Sequence, residues 1–483
     1  MHVDTPQSAC LAGVAQRDIT PPVGIYHRMW GAATHDRSTG IHRPLTCTAL
    51  AIAPLPSEKA AHSRALQAIV ALDHCLFWTD QINAITAKVC ERTGVSPSQL
   101  QIACSHTHAA GLMDPTRSDL PGGELIAPYL QGMTERIGEA VNEAVAALAP
   151  VDILYGSGRC LLAAHRDLWD EARGQFVCGF NPLGPADDTL IVARITDAHQ
   201  HVIATIVNYA CHPTTLAWDN TLVSPDYVGA MREVVEAATD GAPCLFLQGA
   251  SGDLGPRRGF VGDVATADRN GRELGYAALS ALTALPAAGT RLEYDGPVVS
   301  GATIGTWRDR PLPAEGSAQK REWHAATHSI PLPYRPDLPT RELTEEELAR
   351  WMREEHQALE LGNAALARDC RAQVERMARQ LARLRMLPEG DSVGVRAAVW
   401  RLGDALWVFV AGEHYQYLQR SLRERFPSRV VILATVTSGW LPGYLPTRET
   451  YGRGIYQESI AIVAAGSLET LTERLAAELE KLS

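Results

Sequence analysis

Four polar islands lie far apart along this chain, and any fold it adopts has to satisfy them together. They are Cys104-Ser105-His106-Thr107-His108, Asn208-Tyr209-Ala210-Cys211-His212-Pro213, Gly412-Glu413 and Gly443-Tyr444-Leu445-Pro446-Thr447, and between them they offer two or three imidazoles, a carboxylate and a phenol. Two histidines and a glutamate make a donor set that catalytic zinc favours. Borderline-soft Zn²⁺ accepts neutral imidazole nitrogen and carboxylate oxygen and can keep one coordination position open. If the islands share one site, a domain boundary between His106 and Tyr444 would cut that site in two, and no Ser/Gly-rich or low-complexity linker interrupts the span. The expected organisation is therefore a single unit over residues 1–483.

The pattern between the islands is that of an α/β protein with a mixed β-sheet core flanked by helices. From about residue 45 to 292, short β-rich runs alternate with longer amphipathic stretches. Strands are expected at Thr46 to Ala53, Gln67 to Leu72, Ser96 to Ser105, His201 to Ala210 and Ala242 to Gln248, and a helix from Pro128 to Leu148. Polar islands follow three of those strands directly. Further on, Thr344-Glu345-Glu346-Glu347 reads as a capping box opening a long Ala/Leu/Arg/Glu helix pattern, which Leu361-Gly362-Asn363 breaks and which then resumes to Leu387. This is an inserted helical hairpin at about 340–388, whose interleaved charges read as a solvated face over a packing stripe. Strand character returns from Val393 to Ala411 and delivers Gly412-Glu413, and an amphipathic helix from Ser467 to Leu482 follows the last island.

Composition removes several function classes. Hydrophobic residues make up 46% and charged residues 20%, the balance of a globular protein. A net charge of −11 without any basic run argues against nucleic acid as a partner. No uninterrupted apolar run approaches the ~18 residues of a membrane span, and the first residues carry no signal-like pattern. The ten cysteines include no Cys-x-x-Cys, and many sit in apolar runs, as core thiols do in a reducing compartment; a cytoplasmic location is expected. Nothing in the sequence sets an oligomeric state.

In His106-Thr107-His108, residues two apart on an extended segment point the same way, so both imidazoles could face one cavity. The order of the islands resembles that of the neutral ceramidase family, zinc-dependent amidases that cleave the N-acyl bond of ceramide. Gly13-Val14-Ala15-Gln16-Arg17-Asp18-Ile19-Thr20-Pro21 is similar to the family's opening segment, and Ser105 to His108 to its Ser/Thr-His-Thr-His segment. Asn208 to His212, Ser224-Pro225-Asp226-Tyr227, Gly252-Asp253, and Gly443-Tyr444 with Tyr456 follow in the family's order. The resemblance implies that His106, His212, Glu413 and Tyr444 bind Zn²⁺, with His108, Arg166 and Tyr456 lining the substrate side. It also implies hydrolysis of a small-molecule N-acylated amine by metal-activated water.

Two departures separate this chain from the ceramide-cleaving members. Their Gly-Asp-x-Ser-Pro is here Gly252-Asp253-Leu254-Gly255-Pro256, so a hydroxyl is missing, and no additional immunoglobulin-like domain is expected after the last island. The chain resembles the smaller, ceramidase-like bacterial branch, with a substrate other than ceramide expected. Two alternatives come from the residues themselves: a serine esterase or amidase using Ser251 in Gly249-Ala250-Ser251-Gly252-Asp253, and a zinc-stabilised binding protein without catalysis. Cys104 and Cys211 stand close to histidines but in strand-like runs, and Trp30, Trp169, Trp218 and Trp440 are candidates for an apolar acyl pocket.

Overall fold

The computed structural model describes residues 1–56 and 66–482. Its centre is an eight-stranded sheet of Gln7–Asp18 (β1), Thr46–Ala53 (β2), Gln67–Leu72 (β3), Leu100–Cys104 (β4), Ala149–Arg159 (β5), Thr189–Thr196 (β6), Val202–Tyr209 (β7) and Cys244–Gln248 (β8). The spatial order is β8-β7-β6-β5-β1-β2-β3-β4. The six central strands pair antiparallel, while the outermost pairs, β7 with β8 and β3 with β4, are parallel. Against it lies a four-stranded sheet of Trp323–Pro333 (β9), Ser392–Leu402 (β10), Ala405–Val410 (β11) and Val430–Ala434 (β12).

The period-two alternation of the sequence builds both faces of the large sheet. Leu50, Ile52, Ile69, Ile153, Ile191, Ile206 and Leu247 meet Trp400, Trp407, Phe409 and Ile432 of the smaller sheet in one buried cluster. Their neighbours face the other way. Ala49, Val70 and Ile102 pack under Thr79–Thr93 (α1) and Ile126–Ala146 (α2), whereas Val192, Val207 and Phe246 pack under Tyr227–Ala238 (α3) and Val264–Thr283 (α4). The outer face of the smaller sheet carries Tyr417–Arg425 and Ser467–Glu480. The result is four layers, helix on sheet on sheet on helix. Gly13 is fixed by this packing, because a Cβ there would collide with the Ala144 carbonyl of α2.

The expected strands are present with trimmed ends. Pro97 and Pro243, which carry no N–H for a ladder, keep β4 and β8 from starting before Leu100 and Cys244. The run from Val393 to Ala411 is not one strand but a hairpin, β10 to β11, turned by Gly403-Asp404 with Gly403 at φ +52°. The first hairpin helix, Arg341–Glu360 (α5), starts one turn earlier than the capping-box reading, because Thr340 rather than Thr344 supplies the cap, accepting from the Leu343 N–H. Ala364–Arg385 (α6) returns along it after Gly362. Among the described residues no helix is long and apolar enough to cross a membrane.

The two margins of the large sheet are tied to one another by residues 435–438, just after β12. Thr435 N–H donates to the Gln248 carbonyl at the end of β8 at 2.8 Å, and Ser438 N–H donates to the Ile102 carbonyl of β4 at 2.7 Å. Val436 and Ser438 hold φ of +50° and +55° in this crossing. Such backbone is costly for a β-branched residue and persists where its surroundings over-determine it.

Candidate metal centre and its cavity

Three of the islands stand just beyond the end of a strand. His106 follows β4, His212 follows β7, and Glu413 follows β11. Glu413 then pairs in parallel with Tyr444 across a two-residue ladder, which fixes those two islands against one another. The chain does not stay extended through His106-Thr107-His108: His106 takes φ +70° and His108 opens a one-turn 3₁₀ helix. The expectation of two same-facing strand residues therefore fails. The two rings do come together, at 5.0 Å between centroids and 83° between planes, through the turn rather than through strand alternation.

Hydrogen bonds to backbone decide the tautomers. His106 Nδ1 lies 2.7 Å from the Cys75 carbonyl and His212 Nδ1 lies 2.7 Å from the Ser251 carbonyl. A carbonyl only accepts, so each Nδ1 carries the proton and each Nε2 presents a lone pair. Those two Nε2 atoms face one another at 3.1 Å, and Glu413 Oε2 is 3.1 Å from each. Exposure is 1% for His106, 0% for His212 and 5% for Glu413. The Tyr444 hydroxyl, 3.2 Å from His212 Nε2, accepts from Arg166 Nη2 at 3.0 Å.

Three buried acceptors within 3.1 Å of each other repel unless positive charge lies between them. Protonation of His106 answers part of this: burial opposes it, but the Cys75 sulfur and the Glu413 carboxylate raise its pKa well above the ordinary value. His212 cannot help, since burial and then Arg166 lower its pKa to about 3. A metal ion fits better. Donors bound at ~2.0–2.1 Å in a tetrahedron sit about 3.3 Å apart, close to the spacing here, and both imidazoles have the carbonyl-anchored second nitrogen that metal-ligating histidines show.

Trp440 Nε1–H donates to Glu413 Oε1 at 2.5 Å, leaving Oε2 as the oxygen that faces the histidines. Trp440→Phe keeps an aromatic, though smaller, ring and removes this donor. Loss of such an outer contact costs ~10- to 100-fold in metal affinity, and that is the expected weakening of binding for any metal held by this cluster, measured by competitive chelator titration.

Beside the cluster opens a cavity of about 510 Å³, to which His108, Arg166, Tyr444 and Tyr456 all contribute. His108 Nε2 is buried without a hydrogen-bond partner, and burial, followed by the nearby His106, holds its pKa well below the ordinary value, so the ring is neutral. Arg166 is buried and its guanidinium is anchored on the Gly252 carbonyl at 2.6 Å. Tyr456 lies 6.0 Å from Tyr444, ring to ring, and is open on its cavity side. Trp30 and Trp218 form an aromatic wall with Phe260. Trp440 instead supports Glu413, and Trp169 meets Phe176 edge to face beside a separate surface groove. A Cβ at Gly255 would meet Arg166 and Thr214 no closer than 3.9 Å, so packing does not demand glycine there.

Ser251 sits behind His212, where its hydroxyl accepts from Gln248 Nε2 at 2.6 Å and its carbonyl occupies His212 Nδ1. Burial raises the thiol pKa of Cys104 and Cys211, which keeps both protonated. Sequence reasoning treated α6 as a packing element, yet Ala372, Glu375, Arg376, Arg379 and Arg383 of that helix line the cavity. Their spacing of three, four and seven residues was the available signal. The roles of the Cys75 and Ser251 carbonyls had no signal, because any residue type supplies one.

No protein-family model and no curated protein sequence matches the chain. Solved structures share its fold, among them two described as ceramidases. The neutral ceramidase from Pseudomonas aeruginosa superposes with a TM-score of 0.63 at 16% identity, covering 98% of this chain and 74% of that one. A second structure, described as ceramidase complexed with C2, gives a TM-score of 0.61 at 16% identity, covering 99% and 76%. The expected neutral-ceramidase-like α/β architecture is thus met.

Proposed function

We propose that this protein is a zinc-dependent amidohydrolase that cleaves the N-acyl bond of a small-molecule amide other than ceramide, the whole chain acting as one catalytic unit. The observation that carries this reading is the trio of His106 Nε2, His212 Nε2 and Glu413 Oε2, mutually 3.1 Å apart and buried, with the other ring nitrogen of each histidine anchored on a backbone carbonyl. In this reading His106, His212, Glu413 and Tyr444 hold the ion. When bound, zinc supplies Lewis-acid polarisation of the scissile carbonyl and lowers the pKa of water from ~15.7 towards ~7.

The chain's own groups do the rest. His108 is neutral, so its unpartnered Nε2 is free to take the proton released as water attacks and to pass that proton on to the departing amine. Arg166 and Tyr456 donate to the carbonyl oxygen as its negative charge grows, each worth about 3 kcal/mol of barrier by comparison with oxyanion donors elsewhere. Tyr444, held by Arg166, closes the cluster on the cavity side. Amide rather than ester specificity rests on the resemblance to ceramidases. The missing hydroxyl at Gly255, beside Arg166, is what separates the substrate from ceramide.

The test pairs metal analysis of the purified protein with hydrolysis of short and long N-acyl amines. Zinc near one equivalent per chain, activity lost on chelation and regained with zinc, and a thermal midpoint raised by zinc are expected. An excess of a hundredfold over Kd stabilises by about 2.7 kcal/mol. Activity that survives complete metal removal, or stops on labelling by a serine-directed phosphonate, returns the assignment to Ser251. Bound zinc with no turnover of any acylated amine would leave a binding protein.

A further inference from the structure

One wall of the cavity, formed by α6, is cationic. Arg376, Arg379 and Arg383 project from one face of α6, at the i, i+3 and i+7 positions, and all three line the cavity together with Arg166. The one carboxylate on that wall, Glu375, is already held by Arg117 at 2.9 Å and Arg371 at 3.1 Å. Its contact with the arginines of the cavity is a long one, 4.0 Å to Arg379, and it reaches neither Arg376 nor Arg383.

Arg383 is the telling residue. It is 5% exposed, has no carboxylate within ion-pair distance among the described residues, and its Nε has no hydrogen-bond partner. One of its terminal nitrogens reaches Gln380, a neutral acceptor. Arg379 donates to the Met29 carbonyl at 2.6 Å and leaves its own Nε without a partner, and Arg376 is exposed without an ion pair among the described residues. A buried guanidinium is expensive unless a partner of opposite charge arrives. Burial accordingly lowers the pKa of Arg383 to about 10.

The helix also sets a direction. Ala372 packs on Gly31, beside Trp30, while the Arg383 guanidinium lies 5.9 Å from the Trp440 ring, which in turn bonds Glu413. Eleven residues of helix, about 16 Å, thus run from the aromatic wall to the edge of the metal cluster. An apolar acyl chain suits the first end and an anion the second.

We infer that the substrate is an amide carrying a carboxylate on its amine portion, an N-acyl amino acid, whose carboxylate pairs with Arg383 and Arg379 while Arg376 draws it in. Arginine's planar fork matches a carboxylate with two parallel hydrogen bonds. This rests on the amidohydrolase reading for the identity of the bond cleaved, but the anion site can be tested without turnover.

The experiment uses 4-oxoundecanoate, in which a methylene replaces the N–H of N-octanoylglycine, and its neutral counterpart 4-oxoundecanamide. Binding to the zinc-loaded full chain is followed by the fluorescence of Trp30 and Trp218. The acid should bind at least about tenfold more tightly than the amide at low salt, with the advantage shrinking as salt rises. Arg379→Gln and Arg383→Gln should each bring the ratio of the two dissociation constants towards one while leaving the amide's nearly unchanged. Arg376→Gln, at an exposed position that folding does not depend on, should lower the ratio about threefold. Equal affinity of acid and amide for the wild-type protein, or variants that weaken both ligands alike, would overturn the inference. Preferential acid binding with no hydrolysis of N-octanoylglycine would instead preserve the anion site and overturn the amidohydrolase reading.

Discussion

His212→Ala is expected to abolish zinc binding at micromolar metal and to reduce amide hydrolysis by at least about a thousandfold. The reason is specific to this site. Outer contacts of a metal ligand are worth ~10- to 100-fold, and removing a ligand itself must cost more. His212 is also the atom against which the rest is arranged, since its Nε2 lies 3.1 Å from both His106 Nε2 and Glu413 Oε2 and 3.2 Å from the Tyr444 hydroxyl. The fold should survive, because the side chain lies in a loop beyond β7 and not in the sheet core. Metal content, turnover and far-ultraviolet circular dichroism of the same preparation check this. Near-stoichiometric zinc in a folded variant would remove His212 from the ligand set.

Arg232→Met is expected to produce the largest loss of stability, about 3–5 kcal/mol, as when one partner of a buried ion pair is left alone. Arg232 on α3 grips Asp73 through two parallel hydrogen bonds of 2.9 and 3.0 Å, and Asp73 is 1% exposed. Methionine fills much of the space but leaves the carboxylate with only the Thr46 N–H and hydroxyl. Asp73 directly precedes His74, whose carbonyl accepts the His106 N–H at 2.9 Å, so zinc affinity should fall as well. Urea unfolding measures the first effect and chelator competition the second. Pairing the substitution with Asp73→Leu should recover much of the stability, because an apolar pair needs no counter-charge. A loss below about 1 kcal/mol would show that Thr46 and water satisfy Asp73 well enough.

The residues brought together at the site were legible because their chemistry is rare and their order distinctive: His106, His212, Glu413 and Tyr444 converge although nothing local in the sequence connects them. The strands were legible for the same reason that they form, since alternation at Ala49 and Leu50 or Ile69 and Val70 records two different burials. What escaped lacked a side-chain signature. The carbonyls of Cys75 and Ser251 orient both imidazoles, yet a carbonyl is common to every residue. Gly403-Asp404 divides what reads as one apolar run because two residues suffice for a hairpin turn. The arginines of α6 were hidden by their neighbours: alternating charge along a helix looks the same facing solvent as facing a cavity, and only the partner surface distinguishes them.

The crossing at residues 435–438 has a consequence for when the protein becomes competent. The side chains at positions 106, 212 and 413 belong to chain segments whose mutual placement waits on that late stretch stitching β8 to β4. Contacts of such sequence separation are slow to close, and their entropy is spent before any of them rewards the chain. A polypeptide emerging from the ribosome therefore presents isolated imidazoles long before it presents the assembled cluster, and on the proposed reading capture of the ion becomes the closing act of maturation, not its nucleus.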